Sequence, residues 1–160
     1  MKPRVYIETS VISYLTSEPS RDLIVAAHQQ ITRDWWRLRR GDHELYVSTL
    51  VHQEARRGDR NASRARLETL QGIPLLEMTE QARQLARALV EDGPMPPKAD
   101  ADALHIAIAA AEGLDFLLTW NCTHIANARI VKGTVAVIEE RGYECPVICT
   151  PAQLLEPGNA

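Results

Sequence analysis

Short apolar runs alternate with helical patterns along this chain, and that alternation limits its folds more than any other feature. Val5-Tyr6-Ile7 and Phe116-Leu117-Leu118 are unbroken apolar runs. A strand with one wet face alternates apolar and polar residues, whereas an unbroken run suits a strand covered on both faces. Strands are predicted over about 4–8, 44–48, 74–78, 116–119 and 147–149. Helical stretches separate them. Thr9 and Ser10 offer cap hydroxyls for a short helix, and Ser20 for a long one to about Arg40. In the long helix Leu23, Ala27, Ile31, Trp35 and Leu38 form one apolar stripe. Further helices are predicted after 48, over 63–70, after Thr79, over 99–111 and over 125–141. Pro94, Pro96 and Pro97 keep the segment before 99 out of a helix. Strands that alternate with helices in this way are parallel, joined by right-handed crossovers, with helices on both faces. The fold class is therefore α/β, with a central, mostly parallel sheet of four to five strands.

A chain of 160 residues suits one domain, read here as 1–155 with a flexible tail at 156–160. The formal net charge of −3 gives no global attraction for nucleic acid, though a local basic patch is compatible with it. Three cysteines with no CxxC pair, and no signal-peptide pattern, point to a reducing, cytoplasmic setting. No stretch has the length of a membrane span.

Acids stand where such a fold makes its ligand site, at the carboxyl ends of strands. Glu8 follows the first apolar run directly, and a carboxylate there needs a cation or donors. Its alternative is acceptance of hydrogen bonds from the helix start at Ser10 and Val11. Asp102 shares a face with His105, Ile106 and Ala109 at the mouth of the most apolar helix, so it points inward. Asp100 reads instead as a first-turn charge favoured by the helix dipole. Glu54 sits among charges on a short helix and gains weight only as a third ligand. Asn121, after the fourth strand, is either a carbonyl ligand for a hard cation or a turn residue. Carboxylates brought together repel, and a divalent cation relieves them.

Other groups compete with these. A zinc site from Cys122, His124 and His105 matches no established spacing. His105 reads better as a hydrogen-bonded helix residue beside the site. No serine lies in a nucleophile elbow, and no glycine-rich phosphate loop is present. Arginines cluster at 33–40 and at 56–66, either as solvated helix faces or as a phosphate track. Trp35 and Trp36 cannot both face one core, and one of them is a candidate for a dimer or partner contact.

The segment Val5-Tyr6-Ile7-Glu8-Thr9-Ser10 resembles the opening motif of PIN-domain ribonucleases. Asp102-Ala103-Leu104-His105-Ile106-Ala107 resembles that family's third-acid helix, and Leu118-Thr119-Trp120-Asn121 its closing motif. Glu54 matches the second acid by position. The resemblance implies a three-layer α/β/α fold and metal-dependent RNA cleavage, often as the toxin of a VapC-type toxin–antitoxin pair. It assigns Glu8, Glu54, Asp102 and Asn121 to a Mg2+ or Mn2+ site, with Ser10 and Thr119 standing behind those ligands. It also implies an antitoxin protein partner and a homodimer. Two departures stand out: Glu8 and Asn121 occupy positions that are usually Asp. The alternative is a catalytically weakened RNA- or protein-binding module on the same fold. A nucleotide-binding or phosphatase domain lacks support, because no glycine-rich turn follows the first strand.

Overall fold

The computed structural model describes residues 1–156. Five parallel strands form one sheet in the order β3-β2-β1-β4-β5. They are β1 (Arg4–Ile7), β2 (Glu44–Ser48), β3 (Leu75–Leu76), β4 (Phe116–Leu118) and β5 (Val147–Cys149). Val5, Tyr6 and Ile7 are all fully buried, although successive side chains point to opposite faces. Both faces are therefore covered, giving the three-layer α/β/α arrangement. The covering helices are α1 (Thr9–Thr16), α2 (Leu23–Leu38), α3 (Thr49–Ala55), α4 (Arg60–Leu70), α5 (Glu80–Glu91), α6 (Asp100–Ala111) and α7 (Val131–Glu140).

The chain first builds the sheet outward from β1 through β2 to β3. It then returns through α5 and α6 to lay β4 on the other side of β1. Strand order thus reverses between β1 and β4, and their carboxyl ends flank the crevice where ligands bind in such sheets. Ile7 lies opposite Leu118 in the register, so Glu8 and Thr119 emerge side by side. The Glu8 amide extends the ladder by donating to the Leu118 carbonyl at 3.1 Å.

Four sequence expectations are corrected. The inward face of α2 is not the predicted stripe: Gln29, Thr32 and Trp35 are buried, while Leu23 is 86% and Leu38 49% exposed. The reason is a set of polar bonds. Gln29 donates to Ser17 Oγ and the Glu18 carbonyl and accepts from the Ser20 amide. Thr32 accepts from Trp120 Nε1 at 2.7 Å. These tie α2 to the segment before it and to Trp120. The helix is capped by Asp22, not Ser20. Likewise Glu8, not Thr9 or Ser10, caps α1. The last helix begins at Val131 rather than 125. Asn121 and Asn127 side chains accept the amides of Thr123, His124 and Arg129, which diverts the intervening backbone into turns. Of the predicted tail, residues 157–160 lie outside the described residues.

Candidate metal centre at the carboxyl ends of β1 and β4

Glu8 is 6% exposed, and its burial is offset by donors. The hydroxyls of Ser10 and Thr119 both donate to Oε1, the latter at 2.6 Å. The Ser10 amide donates to Oε2 at 3.1 Å. Each hydroxyl also accepts a backbone amide of the loop after β4. Trp120 N donates to Ser10 Oγ at 2.8 Å, and Asn121 N to Thr119 Oγ1 at 2.9 Å. One carboxylate oxygen thereby fixes α1 and the loop after β4 together.

Glu54 reaches the same place from α3. Its Oε1 accepts from Thr9 Oγ1 and from His105 Nε2, both at 2.6 Å. His105 is fully buried on α6, and its other nitrogen meets the Tyr6 hydroxyl at 2.6 Å. The Tyr6 oxygen lies 2.7 Å from Ser48 Oγ, which accepts the Val51 amide as the cap of α3. Burial pushes the Glu54 carboxyl up, but the His105 bond and charge, the Thr9 hydroxyl and Arg57 outweigh it and hold it below its usual range. Burial raises the Tyr6 phenol well above its ordinary value; Ser48 opposes that shift, and the Glu8 and Glu54 charges reinforce it.

Ligating atoms of Glu8, Glu54 and His105 all lie within 4.8 Å of one another. Asp102 lies one turn before His105 on the same helix face and pairs with His124 Nδ1 at 3.1 Å. Asn121 Oδ1 accepts the amides of Thr123 and His124, the turn role weighed from sequence. The structure thus joins Glu8 and Glu54 directly, and sets Asp102 and Asn121 on the bordering helix and loop. The zinc alternative is not assembled: among the described residues His105 groups with Glu8 and Glu54, without Cys122 or His124.

Sequence reasoning did not find the support of Tyr6 and Ser48. A tyrosine inside a buried strand signals a buried partner for its hydroxyl. It also missed an aromatic group beside the loop after β4. Trp120 stacks on His28 with ring centroids 4.0 Å apart, and Tyr14 meets both edge-on. Trp35 is buried, while Trp36 is half-buried beneath the Arg40 guanidinium at 4.1 Å. Arg39 and Arg66 are spent on backbone carbonyls, whereas Arg56, Arg57, Arg60 and Arg64 are exposed. Among the described residues no helix is long and apolar enough to cross a membrane.

The family model for the PIN domain matches residues 5–121. No curated protein matches the chain by sequence. Among solved structures, the chain is similar to VapC20 of Mycobacterium tuberculosis, described as a sarcin–ricin-loop-cleaving toxin. The TM-score is 0.56 at 14% identity, covering 87% of this chain and 95% of that one. It is also similar to a chain of VapBC2 from Rickettsia felis, solved bound to a DNA fragment from the promoter. There the TM-score is 0.58 at 13% identity, covering 92% and 98% of the two chains. At these identities the likeness concerns the fold.

Proposed function

Because this chain belongs to the PIN-domain family, we propose that it is a metal-dependent endoribonuclease that hydrolyses RNA phosphodiester bonds. The observation that carries the reading is the meeting of Glu8 and Glu54 at the strand-order reversal, within 4.8 Å of each other's ligating atoms. Their hard oxygen donors suit Mg2+ or Mn2+. When bound, such a cation supplies positive charge against the oxygens of the phosphodiester.

The chain's own residues do the rest. Glu8 and Glu54 hold the ion, and Asp102, oriented by His124, completes the acidic set from α6. Asn121 serves through the turn it braces and through its position at the rim. Ser10 and Thr119 keep Glu8 from rotating. The exposed Arg56, Arg57, Arg60 and Arg64 follow Glu54 in sequence and give the phosphate backbone a track toward the acids. Residues 1–155 act as one domain in the cytoplasm. VapC20 is described as a toxin, and VapBC2 was solved with promoter DNA. These support a toxin role with an antitoxin partner, and we propose a homodimer as its assembly. Leu23 and Ile24, exposed at the start of α2, are the apolar face offered to such a partner.

The test is cleavage of structured RNA in Mn2+, in Mg2+ and in EDTA, by the wild type and by Glu8→Gln and Asp102→Asn. Cleavage should require the ion and be lost in both variants, with the unfolding temperature of Asp102→Asn near that of the wild type and Glu8→Gln still folded by circular dichroism. Undiminished cleavage in EDTA, or by both variants, would remove the reading.

A further inference from the structure

Glu54 is held through one oxygen only. Thr9 and His105 both donate to Oε1, and among the described residues Oε2 accepts no hydrogen bond. A carboxylate accepts only, so His105 Nε2 carries the proton in this contact. The other ring nitrogen, Nδ1, meets the Tyr6 hydroxyl at 2.6 Å. The Tyr6 hydroxyl in turn meets Ser48 Oγ at 2.7 Å, and that oxygen accepts from Val51 N. Every member of this relay is buried or half-buried, and each has the partner its chemistry requires. The relay crosses three elements: β1 through Tyr6, the β2–α3 junction through Ser48, and α6 through His105.

The geometry points to His105 as a positioning residue. It holds Glu54 by Oε1 and leaves Oε2 free of hydrogen bonds, where it could ligate a cation, while Tyr6 and Ser48 hold the imidazole in place. The inference rests on the metal-dependent reading above. Hydrogen bonds of this kind to a ligating side chain orient it, and their loss weakens metal affinity by about 10–100-fold. The same ring nitrogen is close enough to Glu8 and Glu54 to serve as a ligand itself. The direct 2.6 Å bond to Glu54 and the Tyr6 hydroxyl bound at the far nitrogen favour positioning.

Two amides one methylene apart separate this role from packing. The His105→Gln amide reaches the Nε2 position and still donates to Glu54. The His105→Asn amide reaches the Nδ1 position and still meets Tyr6, but leaves Glu54 without its donor. Titration of the full chain with Mn2+ by calorimetry should show Gln within a few-fold of wild type. Asn should bind about 10–100-fold more weakly, and Tyr6→Phe should fall between them. Thermal unfolding without metal identifies any variant that has lost its fold. Pulsed electron paramagnetic resonance of the Mn2+-loaded wild type should show no directly bound nitrogen. Equal affinity in Asn and wild type, or a nitrogen ligand in the spectrum, would overturn the positioning role and leave the nuclease reading standing. Failure of the wild type to bind Mn2+ would remove both.

Discussion

Thr119→Val replaces a hydroxyl by a methyl at a fully buried position, with almost no change in shape. Two bonds are lost. The first is the 2.6 Å donation to Glu8 Oε1 and the second the 2.9 Å acceptance from Asn121 N. A hydrogen bond to a charged group contributes about 1.5–3 kcal/mol, and a part-buried amide left alone adds up to about 1 kcal/mol. The sum is about 2–4 kcal/mol. For a domain of this length each kcal/mol moves the midpoint by about 2–4 °C, so the variant should unfold roughly 4–16 °C early in EDTA. Circular dichroism melts measure this. Thr119→Ser keeps the hydroxyl and loses one methyl, a loss of about 0.8 kcal/mol in transfer terms plus a small cavity. In a Glu8→Ala background the Val substitution should cost far less, because its charged acceptor is gone. A Val melt within a degree of wild type, or Ser and Val behaving alike, would refute the idea that Thr119 carries the buried carboxylate.

Three further outcomes concern other parts of the fold. A methyl added at Gly93 would stand 2.7 Å from the Leu89 carbonyl and 3.0 Å from Val137 Cγ2, so Gly93→Ala should cost about 1–3 kcal/mol in urea unfolding. Burial raises the Cys149 thiol to about 12, and burial with the Glu139 charge raises Cys145 to about 11. Raised values mean less thiolate at a given pH. At pH 8 its fraction is on the order of 10⁻⁴ and 10⁻³ respectively, so iodoacetamide should modify only the exposed Cys122 under native conditions, as read by peptide mass. Trp120→Phe removes the donor to the buried Thr32 and should lower stability by about 1–2 kcal/mol, measured by thermal unfolding.

Much of the sheet was legible because its strands are unbroken apolar runs. Those at 116–118 and 147–149 fell within a residue of expectation, as did the helix from Asp100 to Ala111. Two regions misled for one reason, namely that polar side chains took over work usually done by apolar contact or by helical backbone bonds. Gln29 and Thr32 turned α2 away from its leucine stripe, and Asn121 and Asn127 held the backbone before α7 in turns. Such side chains declare themselves only through partners distant in sequence. Glu8 was readable from its place after a buried strand, while Glu54 looked like any charge on a wet helix. His105 was placed beside the site, but its hold on Glu54 depends on a strand tyrosine 99 residues away.

The middle place of β1 in the sheet has a consequence for synthesis. Its first neighbour, β2, is translated soon after it, but its second, β4, ends only at Leu118. Until the ribosome has passed Thr119, Glu8 has no hydroxyl from the far side of the crevice, and the amides that anchor Ser10 and Thr119 do not yet exist. Long-range pairing of this kind comes late in folding. The nascent polypeptide therefore carries an unassembled acidic centre until β4 and the loop after it have been made.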